Sequence, residues 1–432
     1  MLSHTHVYLK RIIPPSCRCM STSVSATPSA SAGKAILHEK QLNNGVTVLA
    51  RDAYVESVSL KVAVSSGSRH ERENEKGAAH LLSVAAFAGT QNRDGLRLMR
   101  EIENYGFSVG VEAGREKTVY SIRSVPEFAS DAAAILTEVI LSPPKHSYLI
   151  KERMPVAEYD YHLRQSSPQL ALTEMLYEAA YGEGTPMGSS CYATKLSKLH
   201  MDDVLAFRNR HFTSPNLTVA ADGMSLAELE AIGTAFGEGE YKAITESPYC
   251  GGVVRRAVDF KGQIHAALAF PAAHGANGKA YAVLHTILES RLAAKTKGDN
   301  KGCLKSFHIQ NSDSGLVGCY TATQSKQSTE DLLALTINEL KEIASKVDAS
   351  AAKTKLSLLS ASALDGGDDA ATLLLSAASQ GISLSQIGNY SNVTNEEVSA
   401  AAAAILKSTP SYAVLGNTFG VQPYHSVCSM MR

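Results

Sequence analysis

The segment GSRHERENEKGAAHLLSVAAFAGT, from Gly67 to Thr90, carries the pattern that decides the fold. Its middle part, from about Glu75 to Phe87, is predicted to be a helix. Within that helix His80, Ser83 and Val84 stand at positions i, i+3 and i+4, and residues with this spacing share one helix face. We therefore expect a single face to present a histidine, a serine and a valine side by side.

This segment resembles the signature of the pitrilysin family of zinc peptidases, which includes the mitochondrial processing peptidase. The family signature is G-S-R-x-E, a short gap, G-x-A-H-x-x-E-H and then G-T, and H-x-x-E-H is an inverted zinc motif. In that motif two histidines hold the metal ion while the glutamate activates a metal-bound water. The resemblance places His80 at the first ligand, Ser83 at the general base and Val84 at the second histidine. Serine is not a base at neutral pH and valine cannot ligate a metal. The residues around the motif are therefore kept, while the metal-binding and catalytic residues are lost.

The family's third ligand is a glutamate roughly 75 residues further along the chain. The resemblance implies Glu158, in KERMPVAEYDYHL, as its counterpart. A catalytic zinc site requires three protein ligands and an open position, and His80 with Glu158 makes only two. The sequence therefore predicts no metal, no catalytic residue and no peptidase activity. No haem, iron–sulfur or quinone ligand can be assigned either, since Cys-x-x-Cys-His is absent, and we expect no cofactor.

The stretches around the motif predict an α+β fold. Asn43–Gly45 is a turn signal between two strands, and the second strand alternates apolar residues along one face. A helix around Leu96–Tyr105 and the strands SVGVEA and TVYSIRSV follow. Antiparallel strands of this kind pack helices against one face of the sheet. The alternating residues are Val58, Leu60, Val62 and Val64.

The chain then repeats itself. MDDVLAFRNRHFTSPNLTVAADG, from Met201, and TNEEVSAAAAAILKSTPSYAVLGN, from Thr394, share the order of helix, Ser/Thr-Pro break and apolar strand. Thr394 and Glu397 form a capping box. Repetition over such a distance predicts two homologous domains, and the family resemblance implies that an approximate twofold relates them. In the second domain an amphipathic helix is predicted, with Ser328 and Asp331 capping its start. Its stripe comprises Leu333, Ile337, Leu340, Ala344 and Val347.

Composition shifts divide the chain into four parts. Residues 1–35 are predicted to be a mitochondrial transit peptide, 36–236 an N-terminal peptidase-like domain, 237–252 a linker and 253–432 a C-terminal peptidase-like domain. The linker prediction follows from a concentration of glycine, proline and charge. The leader is basic and serine-rich, and the first acid of the chain is Glu39. That composition is typical of mitochondrial import, and the alternative is a tail of accidental composition.

Composition also excludes several classes of protein. The 432 residues are 44% hydrophobic with a formal net charge of −1, which gives no electrostatic basis for binding nucleic acid. No apolar run approaches the roughly 18 residues that span a bilayer. The cysteines are scattered and odd in number, which favours reduced thiols over a disulfide framework.

Within the family, the degenerate motif is similar to that of the inactive core subunits of ubiquinol–cytochrome c reductase (respiratory complex III), specifically the core-two type. The segment SFHIQNSDSGLVGCYTATQ, Ser306 to Gln324, is the best match. The resemblance implies a structural subunit, peripheral on the matrix side of the mitochondrial inner membrane. The implied partners are core protein one, cytochrome b, cytochrome c1 and the iron–sulfur subunit, in a dimeric complex.

The alternative is the presequence-binding, non-catalytic subunit of the processing peptidase. That subunit is marked by a glycine-rich loop in its second domain. Here Gly298 and Gly302 are the only glycines at that place, among lysines. The sequence therefore favours the structural subunit.

Overall fold

A computed structural model describes residues 36–431, except 145, 194–195, 238, 241–245, 261 and 298–301. The transit peptide predicted for residues 1–35 lies outside the described residues, and so does part of the predicted linker. The boundaries of the four parts stay predictions. Within the described residues, no helix is both long and apolar enough to cross a bilayer.

The first half of the chain supplies six strands and eight helices among the described residues. The strands are β1 Ile36–Gln41, β2 Thr47–Asp52, β3 Val58–Val64, β4 Ser108–Ala113, β5 Thr118–Ser124 and β6 Leu217–Asp222. The helices are α1 Ala78–Val84, α2 Gly95–Tyr105, α3 Ala129–Leu141, α4 Ser147–Lys151, α5 Met154–Gln165, α6 Pro168–Tyr181, α7 Met201–His211 and α8 Leu226–Thr234.

In the described part of the second half there are five strands and six helices. The strands are β7 Gly252–Ala257, β8 Ile264–Ala272, β9 Cys303–Gln310, β10 Gly315–Thr323 and β11 Ser411–Gly416. The helices are α9 Gly278–Thr296, α10 Lys326–Ser345, α11 Ser350–Asp365, α12 Gly367–Ser379, α13 Asn395–Lys407 and α14 Tyr424–Met431.

The two sheets have the same topology. The first has the order β1-β2-β6-β3-β5-β4 and the second β7-β11-β8-β10-β9. In each, one pair is parallel, β2 with β6 and β7 with β11, and the other described pairs are antiparallel. Strand β7 therefore corresponds to β2, β11 to β6 and β8 to β3, which leaves β1 as the one addition in the first sheet. The predicted α+β fold and its internal repeat are confirmed.

Each sheet packs one face against helices of its own half. In the first sheet α2, α3 and α8 cover this face, with α3 over β5 and α8 over β2 and β6, and Leu98, Leu136 and Leu229 are fully buried. In the second, α9, α10 and α13 do the same, and the predicted stripe of α10 lies in this core. The capping box of Thr394 and Glu397 is present at the start of α13. Helix α10 begins earlier than the sequence indicated, because Ser325 and not Ser328 accepts the capping hydrogen bond.

The opposite face of each sheet is covered by a helix from the other half. Helix α12 lies on the first sheet, where its Leu374 and Leu375 pack on Leu49, Ala63 and Ala220. Helix α6 lies on the second sheet in the same way. Its contacts are Ala171, Leu172, Met175 and Leu176 against Ala267, Ala269, Ala413 and Leu415. The two halves have therefore exchanged one helix each, which the sequence did not predict.

This exchange explains why β3 is buried along its whole length instead of alternating. Lys61, which alternation would place in solvent, is 8% exposed. Its Nζ lies 3.0 Å from Asp368 Oδ1 and donates to Thr372 Oγ1 at 2.7 Å, both on α12. The burial of a lysine is tolerated because the exchanged helix supplies its counter-charge and acceptor.

Replacing Leu374 with alanine should lower the free energy of unfolding of the whole chain by about 2–5 kcal/mol, because a fully buried leucine leaves a cavity between the halves. The matched control is Leu358→Ala on α11, where the leucine is 69% exposed, and its effect should stay within about 0.5 kcal/mol. Urea unfolding of both variants measures the difference. Equal effects would show that α12 is not part of the fold's core.

Candidate functional site

The frame of the degenerate motif fixes the start of helix α1. Glu71 Oε2 accepts a hydrogen bond from Gly77 N–H at 2.9 Å, and its Oε1 accepts one from Ala79 N–H at 2.8 Å. Gly77 has φ +95°, and a Cβ at this position would lie 2.7 Å from the Cβ of Ala193. The glutamate satisfies otherwise unpaired helix-start donors, and only glycine fits the turn. These framing residues therefore have a structural reason to be present without any catalysis.

His80 is buried in this frame, and both of its ring nitrogens are engaged. Nδ1 accepts a hydrogen bond from Ala193 N–H at 3.3 Å, which places the ring proton on Nε2. Nε2 lies 2.9 Å from Asp160 Oδ2 and donates to it. The ring of Tyr192 meets the imidazole edge-on at 5.3 Å. A metal ligand needs a free lone pair on one nitrogen, and this arrangement uses both.

The side chains at the other two motif positions, Ser83 and Val84, make only structural contacts. Ser83 Oγ donates to the backbone carbonyl of His80 at 2.7 Å, within the same helix. Val84 packs against the apolar cluster that joins α1 to α7. The structure therefore brings His80, Ser83 and Val84 onto one short helix, as the spacing predicts, but their contacts are those of a packed helix.

The residue opposite His80 is Asp160, whereas Glu158 is exposed on the same helix, α5. A step of two residues turns a helix by about 200°, which separates the two carboxylates onto opposite faces. The hydrogen bond from His80, followed by that from Arg164, lowers the pKa of Asp160. Sequence reasoning missed Asp160. The signal available was Arg164, one helical turn on, since such a pair marks a face that meets other charged groups.

No group of three or more His, Cys, Asp or Glu side chains is arranged to hold a metal ion within the part of the chain that the structure describes. Near the motif, a cluster of polar side chains surrounds Arg69. Its buried guanidinium donates from Nη1 to Glu116 Oε1 and to Asp313 Oδ1, each at 2.8 Å. Ser312 closes the cluster by donating its hydroxyl to Glu116 at 2.7 Å.

This cluster joins three segments that the sequence singled out separately. Arg69 belongs to the motif frame, Glu116 to the β4–β5 turn, and Asp313 to the SDSG turn between β9 and β10 of the other half. Tyr181, on the exchanged helix α6, adds a hydrogen bond from its hydroxyl to Ser314 Oγ at 2.9 Å. Arg69, the arginine of the Gly-Ser-Arg in the motif, thus links the two halves.

Comparison with known proteins agrees with this geometry. A family model described as insulinase (peptidase family M16) matches residues 46–195, and one described as peptidase M16 inactive domain matches residues 198–356. Together these regions span well over half of the chain.

Curated relatives are similar over most of their length. Mitochondrial cytochrome b-c1 complex subunit 2 of Rattus norvegicus is 26% identical over 340 residues, which covers 73% of this chain and 75% of the relative. The Homo sapiens subunit of the same name is 25% identical, with 73% and 74% covered. Mitochondrial-processing peptidase subunit alpha of Solanum tuberosum is 26% identical over 279 residues, covering 62% and 55%.

The purified chain should retain no stoichiometric zinc after dialysis, because the ring of His80 is fully hydrogen-bonded and positions 83 and 84 supply neither base nor ligand. In the double variant Ser83→Glu, Val84→His, zinc affinity should rise at least about tenfold, because the introduced imidazole lies one helical turn from His80, on the helix face that meets Asp160. Adding Asp160→Asn should remove this gain, whereas Glu158→Gln should not. Elemental analysis and competitive titration measure these differences. One zinc per native chain would contradict our interpretation.

Two histidines, His70 and His211, lie close together near the motif. His211 is buried on α7, its ring centroid 5.2 Å from that of His70, and it accepts a hydrogen bond from Arg210 at 3.2 Å. Burial, then the neighbouring His70 and Arg210, lowers the pKa of His211 to about 4. In the unfolded chain a histidine titrates near 6.5, so only the unfolded state takes up this proton as the pH falls from 6.5 to 4.

This site should therefore reduce the free energy of unfolding by about 2 kcal/mol between pH 7.5 and pH 5. The variant His211→Gln should show a smaller loss over the same range, whereas His200→Gln, at an exposed position, should behave as the native chain does. Chemical denaturation at the two pH values is the measurement. An unchanged pH dependence in His211→Gln would show that this histidine is not buried as a neutral ring.

Proposed function

Because this chain belongs to the M16 peptidase family, we propose that it is a non-catalytic core subunit of ubiquinol–cytochrome c reductase, of the core-two type. The observation that carries the proposal is the state of the motif: Ser83 and Val84 stand where the general base and second ligand belong, and His80 is a hydrogen-bonded helix residue. Two of the relatives described above are named as subunit 2 of the cytochrome b-c1 complex.

An architectural role fits the surface of the molecule. Three exposed apolar side chains, Val156, Tyr159 and Leu163, follow each other at helical spacing along α5, and Tyr148 on α4 is 54% exposed. A contiguous row of exposed apolar side chains is a common feature of sites of protein association. In the proposed setting the chain lies peripherally on the matrix side of the inner membrane, paired with core protein one and supporting the cytochrome b, cytochrome c1 and iron–sulfur subunits of a dimeric complex.

The second candidate is the presequence-binding subunit of the processing peptidase, favoured by the similarity to its alpha subunit. The glycine-rich loop of that subunit is the distinguishing feature. Gly302 lies at the corresponding place with φ +136°, and Gly298 lies outside the described residues. Two glycines among lysines support the structural subunit over this candidate.

Depleting the chain should lower the amount of assembled complex III and its electron flux from quinol to cytochrome c by the same factor, because a scaffold acts through assembly. Native electrophoresis and an enzymatic assay on the same mitochondria measure both. Re-expressed Leu358→Ala should restore both quantities, whereas the core variant Leu374→Ala should restore less. Cleavage of presequences by matrix extract should not change. Intact complex III with accumulating precursors would support the processing-peptidase candidate instead.

A further inference from the structure

The two matching sheets differ at one edge. In the first sheet the outer edge of β2 is covered by β1, which runs antiparallel to it from Ile36 to Gln41. In the second sheet the equivalent strand, β7, is the last in the order. The repeat therefore contains a strand position that is filled in one half and open, among the described residues, in the other.

The backbone of β7 is oriented to accept such a strand. Gly252 N–H donates to Pro410 O, so this residue points its hydrogen-bonding groups toward β11. In a parallel ladder the direction alternates along the strand. The N–H groups of Val253 and Arg255 therefore point away from β11, toward the open edge.

The side chains along this edge are unusual for a surface strand. Val253, on β7, is 42% exposed, and Val258, one residue past the end of β7, is 47% exposed, with two arginines between them. Arg255 donates to the neutral backbone carbonyls of Val421 and Gln422. Arg256 pairs with Glu178 on α6 while its side chain stays 46% exposed. The strand thus offers β-branched apolar surface together with positive charge, which the single carboxylate of Glu178 only partly neutralises.

We propose that β7 is the docking site for an extended, acidic segment of another polypeptide, which adds to the second sheet antiparallel to β7 as β1 adds to the first. When a peptide adds to the edge of a sheet, main-chain hydrogen bonds provide the affinity, and every second side chain of the peptide provides the specificity. This inference goes beyond the proposed function, since it assigns an interaction surface and the chemistry of its partner.

The register of β1 indicates where the acids should stand. Glu39 lies opposite Leu49, and Leu49 corresponds to Arg256 when the two sheets are aligned on β6 and β11. Lys40 lies opposite Val48, which corresponds to Arg255. A partner strand would therefore carry carboxylates at both positions, because directly opposed like charges destabilise a sheet and opposite charges stabilise it.

Charged side chains on an edge strand also discourage aggregation. That role alone does not account for the exposed Val253 on this strand, or for the exposed Val258 directly after it, since an uncovered edge would be expected to avoid apolar surface. A partner strand would cover Val253 and pair the arginines, whereas a second copy of this chain would bring β7 arginines against each other.

The test places a photo-activatable phenylalanine analogue at Ala257, an exposed position on β7, in the full-length chain within its native assembly. Irradiation should yield an adduct with a different polypeptide, and mass spectrometry should locate the bond in a segment with two or more acidic residues. The same analogue at Leu358, exposed on α11, controls for random capture.

Two further changes test the mode of binding. Val253→Pro removes an outward N–H without breaking a bond to β11, and proline is tolerated at such edge positions. It should lower the yield of the adduct at least about fivefold, the effect of one lost hydrogen bond. Arg256→Glu should lower it similarly, and Lys346→Glu, an exposed charge elsewhere, should not. Thermal melting within a few degrees of the parent verifies folding of each variant.

Four outcomes would each overturn the proposal. The adduct could lie in a non-acidic segment or in a second copy of this chain, its yield could be unaffected by both β7 variants, or no adduct could form above the Leu358 control. If Val253→Pro fails to fold, Arg256→Glu decides alone. Membership of complex III is scored separately by native electrophoresis, so failure of the docking site and failure of the proposed function remain distinguishable.

Discussion

The structure depends on one constraint: each sheet has two apolar faces, and the helices that each half packs on its own sheet cover only one of them. A bare apolar face would cost roughly 25 cal/mol for each Å² left in water. The chain meets this constraint by exchange, with α12 on the first sheet and α6 on the second. The Arg69 cluster then fixes the polar boundary between the halves. What is repeated in this protein is therefore a unit that is incomplete by itself.

The degenerate motif shows which parts of a catalytic signature are structural. Glu71 and Gly77 position helix α1, and Arg69 links the halves, so these residues contribute to folding whether or not a metal is bound. His80 stands at the first-ligand position of the motif, yet its two nitrogens hydrogen-bond a backbone amide and Asp160. A buried histidine without those partners would be costly. Once positions 83 and 84 are serine and valine, hydrogen bonding to Asp160 is what this imidazole contributes.

Much of the fold could be predicted from the sequence, because periodicity and capping residues are local signals. The α7–β6 and α13–β11 repeats, the α10 stripe and the capping box at Thr394 all follow from neighbouring residues. The exchange of α6 and α12 could not be predicted, since apolar residues on those helices fit any sheet equally well. Glu158 and Asp160 show the same limit at the site. Their separation along the chain from His80 differs by two residues, and only helix rotation decides which one faces the imidazole.

The helix exchange also imposes an order of events on a chain that is made from its N-terminus onward. Strand β6, which completes the first sheet, ends at residue 222, and the helix that shields the far side of that sheet starts at residue 367. For about 145 residues of synthesis the first half can form hydrogen-bonded strands but must present bare apolar surface on one side. Such a long-range dependence slows folding and favours aggregation. Until α12 has been made, no helix among the described residues covers that face of the first sheet, so the first half can complete its core only after most of the second half exists.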